Sequence, residues 1–171
     1  MSYFCQEPFC ISTFGHIYIM KYYITGTRRG LGKALVEKYG NCESLEECDI
    51  FINCKHNGFE QVEMLYKAAE LDKRIINIGS AASDWIKGDE PMFRYGIEKK
   101  ALKDTNDQLY YQGVRTTILN FGYFDTERVQ HINGPKMSLD YILEVINWVL
   151  QQPHRVKEIT ITPKRPGRKQ K

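Results

Sequence analysis

From residue 21 to residue 162, short β-branched and aromatic runs alternate with stretches of helical periodicity, and no two of one kind are adjacent. Strands are expected over residues 21–25, 49–54, 74–78, 114–120 and 156–162. Helices are expected over residues 31–39, 59–71, 95–111 and 138–151. In the first helix Leu31, Ala34, Leu35 and Lys38 recur at helical spacing. In the second, Val62, Leu65, Tyr66 and Ala69 share one face. Gly113 ends the third helix, and Ser138 and Pro153 bracket the fourth as N-cap and stop. Regular alternation argues for a parallel sheet with helices packed on it. Strands that are continuously apolar argue that both faces of that sheet are covered. The expected fold is therefore α/β: a three-layer, Rossmann-like parallel sheet of about five strands with flanking helices. In such sheets ligands sit beyond the carboxyl ends of the strands, so the residues that follow each strand come first.

A chain of 171 residues makes one domain. With 42% hydrophobic and 26% charged residues it reads as soluble and globular. No apolar run reaches the roughly 20 residues that span a bilayer, so no membrane partner is expected. Residues 1–20 match nothing that follows and are interrupted by Gln6, Glu7, Pro8 and His16. They read as a poorly ordered N-terminal extension rather than a secretory signal, ahead of a domain at 21–163 and a basic tail at 164–171. Five cysteines (Cys5, Cys10, Cys42, Cys48, Cys54) are an odd number, which fits free thiols in a cytoplasmic setting. Cys42, Cys48, Cys54 and His56 are spaced too widely for a structural zinc site, and no metal is expected. The net charge of +3 comes from the tail, K-R-P-G-R-K-Q-K, which holds five of the 24 basic residues; the rest carries fewer bases than the 21 acids. The domain has no basic stripe with interleaved aromatics, so a nucleic-acid partner is not expected, and the tail reads as a solvated end.

Three stretches after strands could carry chemistry. The first is T-G-T-R-R-G-L-G at residues 25–32. Gly26, Gly30 and Gly32 permit a tight turn, close approach of a ligand and close helix–strand packing. Thr27, Arg28, Arg29 and Leu31 share the turn, and the helix it opens directs free N–H groups at the same spot, which suits a pyrophosphate. The plain alternative is a structural turn. The second stretch ends the third strand at Ser80, which taken alone is a cap or turn residue. The third is Y-G-I-E-K, in which Tyr95 and Lys99 are four apart and share a helix face. An ammonium beside the phenol would lower its pKa from about 10 and tune it for proton transfer.

In this order, the glycine turn, the serine and the Y-x-x-x-K helix resemble the short-chain dehydrogenase/reductase family. Its pattern runs T-G-x-x-x-G-x-G, N-N-A-G, a strand ending in serine, Y-x-x-x-K and P-G-x-x-x-T. The last of these is F-G-Y-F-D-T here, residues 121–126, and N-C-K-H at residues 53–56 stands for N-N-A-G. The resemblance covers residues 21–163. It implies an NAD(P)-dependent oxidoreductase moving a hydride between a nicotinamide cofactor and a small carbonyl or alcohol. Tyr95 would be the general acid/base, Lys99 would lower its pKa and bond the nicotinamide ribose, and Ser80 would hold the substrate oxygen. Gly26, Thr27, Arg28, Arg29, Gly30, Leu31, Gly32, Asn53, Tyr95, Lys99 and Thr126 would bind the cofactor. Arg28 and Arg29 tip the cofactor, NADP(H) or NAD(H), towards NADP(H), because guanidinium pairs bidentately with a 2′-phosphate; a solvated turn is the competing reading. His56 reads as a rim residue. The short stretch between Thr126 and Ser138 implies an open substrate pocket, and a homo-oligomer would form through the helices flanking the Ser80 strand.

The sequence also departs from the pattern. Only residues 40–47 separate the first helix from the next strand, where the family has a strand, a helix and another strand. The usual second and third strands are therefore missing, and with them half of the adenosine pocket. A catalytically weak or inactive dinucleotide-binding scaffold is the alternative function. A direct crossover from the first helix would also have the wrong hand, against a rule obeyed in about 98% of cases. Either the first helix changes face, or a remnant near Cys42 stands in for the lost strand.

Overall fold

A computed structural model describes residues 9–11, 17–85 and 93–164. Its main sheet contains β3 (Tyr22–Ile24), β4 (Ile50–Asn53), β5 (Arg74–Ser80), β6 (Thr116–Phe121) and β7 (Glu158–Ile161). They lie side by side in that order and all run parallel. Helices α1 (Gly30–Tyr39), α2 (Glu60–Glu70), α3 (Phe93–Tyr111) and α4 (Leu139–Gln151) connect them. Five strands and four helices thus appear in the expected order. Two further strands, β1 (Phe9–Ile11) and β2 (Ile17–Ile19), pair antiparallel as a separate two-stranded sheet within the N-terminal extension. Of the basic tail, residues 165–171 lie outside the described residues. No described helix is long and apolar enough to cross a membrane.

Both faces of the sheet are covered, as the unbroken apolar strands require. On one face Ile24, Ile50, Ile52, Ile76 and Leu119 meet Leu31 and Leu35 of α1 and Ile142 and Ile146 of α4. On the other, Phe51, Ile75 and Ile118 meet Leu65 and Ala68 of α2 and Leu102 and Leu109 of α3. Ser138 caps α4 as expected, its Oγ accepting from the Tyr141 N–H at 3.2 Å. The buried face of α2 differs from expectation: it is Gln61, Leu65 and Ala68, while Tyr66 is exposed. Lys38 of α1 also turns outward.

The short α1–β4 connection resolves the crossover. After Gly40, Asn41 and Cys42 run along the outer edge of β3. Asn41 Oδ1 accepts from the Ile24 N–H at 2.7 Å, and the Cys42 N–H donates to the Tyr22 carbonyl at 2.8 Å. These are hydrogen bonds a neighbouring strand would otherwise make. Leu45 and Cys48 then pack on the α2/α3 face before the chain enters β4. The helix stays on the α4 side and the chain passes round the sheet edge, so the remnant near Cys42 does stand in for the lost strand.

Candidate active site

The carboxyl end of the sheet gathers the expected residues. The turn after β3 has φ of +76° at Gly26 and +58° at Gly30. Gly32 cannot be replaced without movement: a Cβ there would lie 2.0 Å from the Gly26 carbonyl oxygen, so α1 packs directly on the strand end. The Thr25 hydroxyl accepts from the backbone N–H groups of Cys54 and Lys55 at 2.9 and 3.0 Å, tying this turn to the loop after β4. Arg28, Arg29 and Lys33 line a cleft of about 570 Å³ whose other wall is Asp125, Thr126 and Glu127. Thr27 is partly exposed in the turn, whereas Leu31 is buried in the core and anchors the helix.

Ser80 ends β5 and caps the short 3-10 helix Ala81–Asp84, its Oγ accepting from the Ala82 N–H at 3.2 Å. Its hydroxyl lies close enough to the Tyr95 phenol of α3 to favour the phenolate. One turn further along α3, Lys99 is buried, its Nζ 5.7 Å from the centre of the Tyr95 ring. The ammonium donates to Gln61 Oε1 at 2.6 Å and to the Ile78 carbonyl at 2.8 Å, both neutral acceptors. Burial without a carboxylate partner pulls its pKa down to about 8.

Electrostatics correct one expectation. The Tyr95 phenol sits above its ordinary pKa, not below it. Burial raises it, and the Ser80 hydroxyl and the charge of Arg128 offset that only in part. Lys99 is not among the groups that lower it. The phenol is therefore protonated at neutral pH.

Other expected residues fall into different surroundings. Asn53 is buried, and its side-chain amide donates to the Gln61 carbonyl at 2.7 Å and to Asn77 Oδ1 at 3.0 Å, facing α2 rather than the cleft. His56 stands at the mouth, edge-on to the Tyr95 ring with centroids 4.8 Å apart. Its Nε2–H donates to Glu98 Oε2 at 2.8 Å, and Glu98 Oε1 accepts from Arg94 at 3.0 Å. Burial, aided by the charge of Lys99, lowers the His56 pKa despite the Glu98 bond, so the imidazole is neutral near pH 7. Cys42, Cys48 and Cys54 are free thiols, and among the described residues no group of three His, Cys, Asp or Glu is placed to hold a metal ion.

Two residues went unnoticed in the sequence. Gln61 holds the Lys99 ammonium and continues through Asn53 to Asn77, Asn106 and Thr116 as a buried chain of hydrogen bonds between the sheet and α2/α3. Its signal was there to see: it precedes Leu65 and Ala68 by four and seven residues, a polar side chain on a core stripe. Arg128, on the 3-10 turn Glu127–Val129, lies close enough to act on the charges of Tyr95, Lys99 and His56. It has no motif to mark it.

The fold is similar to that of solved dehydrogenases. A short-chain dehydrogenase from Burkholderia cenocepacia, solved with NADP, superposes with a TM-score of 0.65 at 14% identity, over 84% of this chain and 96% of that one. A 3-alpha-hydroxysteroid dehydrogenase from Pseudomonas, solved with NADH, gives 0.61 at 14% identity, over 82% and 94%. A 4-hydroxyisoleucine dehydrogenase solved with NADH gives 0.59 at 14% identity, over 84% and 97%. No protein-family model and no curated protein matches the sequence. The fold is that of the short-chain dehydrogenases in a shortened form.

Proposed function

We propose that the chain is an NAD(P)-dependent oxidoreductase of the short-chain dehydrogenase/reductase type, acting on a small carbonyl or alcohol through Ser80, Tyr95 and Lys99. The observation that carries this reading is the meeting of Ser80, Tyr95 and a buried Lys99 at the strand ends that also bear the glycine turn. The turn fits a dinucleotide. A Cβ at Gly30 would meet nothing nearer than the Thr126 methyl at 3.6 Å, which leaves a cradle open at the N-terminus of α1. Gly26, Thr27 and Gly30 would hold the pyrophosphate there. Arg28 and Arg29 would take a 2′-phosphate, which favours NADP(H), and Thr126 would meet the nicotinamide end. When bound, the cofactor supplies the carbon that gives or takes the hydride.

The chain's own residues do the rest. Ser80 fixes the substrate oxygen by hydrogen bonding. Tyr95 donates its proton to that oxygen as a carbonyl becomes an alcohol, and takes it back in the reverse direction. Lys99, two of whose three N–H groups are held by Gln61 and Ile78, would bond the nicotinamide ribose with the third. A phenol protonated at rest suits reduction. Fluorescence titration with NADPH and NADH, followed by assays on a panel of aldehydes and ketones, tests the reading. Tyr95→Phe should lower turnover by at least about 100-fold and leave cofactor affinity within about twofold; turnover unchanged by this substitution would overturn it.

A second reading, a non-catalytic dinucleotide-binding scaffold, is favoured by the end of the sheet at β3, where Asn41 and Cys42 close the edge. Cofactor binding without turnover supports it, and no binding of either cofactor at millimolar concentration rejects both. A cytoplasmic location and a homo-oligomer through α2 and α3, the helices flanking β5, belong to the first reading; light scattering on the purified chain tests the oligomer.

A further inference from the structure

Where the N-N-A-G pattern ends in glycine, this chain has His56. The loop that carries it is pinned on both sides. Before it, the N–H groups of Cys54 and Lys55 donate to the Thr25 hydroxyl. After it, the Asn57 side-chain amide donates to Glu60 Oε2 at 2.8 Å, and the Glu60 N–H to the Asn57 carbonyl at 3.1 Å. From this fixed base the imidazole reaches α3 twice. Its Nε2–H donates to Glu98 Oε2 at 2.8 Å, and its ring meets the Tyr95 ring with centroids 4.8 Å and planes 73° apart. The Glu98 side chain is only 5% exposed, and Arg94 holds its other oxygen at 3.0 Å, so the carboxylate is not free to turn.

Tyr95 is in need of such a support. It is the third residue of α3, on the first turn, whose N–H groups have no acceptor within the helix. Glu98 follows it by three residues, on the same side and one turn deeper. A phenol that must meet an oxygen held at the end of β5 depends on the direction of its ring. Misplacement by about 1 Å costs up to about 100-fold in rate. The imidazole bridges the loop and the helix: Glu98 fixes its plane, and that plane limits how far the Tyr95 ring can swing. An edge-on pair is a favoured arrangement of two such rings.

We infer that His56, locked by Glu98, is a positioning residue that aims the Tyr95 phenol at the substrate oxygen. The inference rests on the oxidoreductase reading and adds to it a pair of residues outside Ser80, Tyr95 and Lys99. His56 acts through Tyr95, and no proton passes through it.

The test is a double-mutant cycle on the full chain, with benzaldehyde, cyclohexanone and butanal as probes at saturating NADPH. His56→Ala and Glu98→Ala should each lower kcat by about 10- to 100-fold. KM should stay within about threefold and NADPH affinity within about twofold. The double variant should lose little more than either single one, because both remove the same strut. Glu98→Gln, whose amide oxygen still accepts from Nε2, should recover most of the rate. His56→Phe keeps a ring and drops the Glu98 bond; it should still lose rate, and it replaces the alanine variant if that one does not fold. Losses that multiply, or a Glu98→Ala variant as fast as the wild type, would overturn the inference. So would a His56→Ala loss that falls on NADPH affinity, which would assign the imidazole to the cofactor. A readout without turnover separates this from failure of the oxidoreductase reading. The NMR signal of Tyr95 Cζ, assigned with Tyr95→Phe, should shift in both His56→Ala and Glu98→Ala. If no probe is reduced and both variants shift it alike, the strut is sustained and the oxidoreductase reading falls. A signal unmoved in Glu98→Ala removes the strut whether or not the probes react.

Discussion

Lys99 combines deep burial with a charge and no carboxylate partner, and its cost to the fold depends on pH. Its folded pKa, about 8, lies below the ordinary value near 10.5. Below pH 8 the group is charged in both states and the full penalty of burial is present. As pH rises from 8 towards 10.5 the folded chain releases the proton while the unfolded chain keeps it, so stability increases. Urea unfolding at pH 7.5 and 9 should show the wild type gaining about 1 kcal/mol relative to Lys99→Met. The comparison between variants removes most of the opposing effect of Cys48 and Cys54, whose thiols burial holds up to about 11. Equal pH slopes in the two proteins would mean that Lys99 is not desolvated as described. That Tyr95 and Lys99 share a face of α3 was legible in the sequence, because residues four apart on a helix lie one turn apart. The raised pKa of Tyr95 was not, because burial depends on what α3 packs against.

At the scale of elements, α2 shows why the reading of a helix face can slip by one residue. An apolar stripe through Val62, Leu65, Tyr66 and Ala69 is the natural choice from hydrophobicity alone. The helix instead turns Gln61 inward, because the buried Lys99 ammonium and the Asn53 carbonyl both need a partner. The connection from α1 to β4 is the other case. Eight residues replaced a longer excursion, and whether they could close the edge of β3 depended on one side chain and one backbone N–H reaching it. Asn41→Ala should cost about 1–2 kcal/mol by leaving the Ile24 N–H without its acceptor, and Asn41→Asp should recover most of this. A urea midpoint for Asn41→Ala equal to that of the wild type would show that water serves this edge as well. An uncovered edge is also a site for strand addition, so the same variant should aggregate more readily on heating.

For the molecule as a whole, the question is whether a sheet that ends at β3 still binds a full dinucleotide. The glycine turn, the α1 N-terminus and the cations Arg28, Arg29 and Lys33 are all present on the near side. A ligand held there at 100 times its dissociation constant stabilises the fold by about 2.7 kcal/mol, which for a domain of this size raises the thermal midpoint by roughly 5–10 °C. NADPH should produce such a shift, and NADH a smaller one if Arg28 and Arg29 take the 2′-phosphate. Equal shifts would reassign the two arginines to the solvent, and no shift with either would remove the cofactor from the account.

Alternation of strand and helix, the apolar strands covered on both sides, and the order of glycine turn, serine and tyrosine–lysine pair are properties of local periodicity and spacing. They could be read before any coordinates because backbone geometry converts them directly into position. The route round the edge of β3, the inward turn of Gln61, the protonated state of Tyr95 and the approach of Arg128 to the site are of another kind. Each depends on residues far apart in the chain meeting in a low-dielectric interior or at its mouth, where burial and charge act through distance in space rather than distance in sequence.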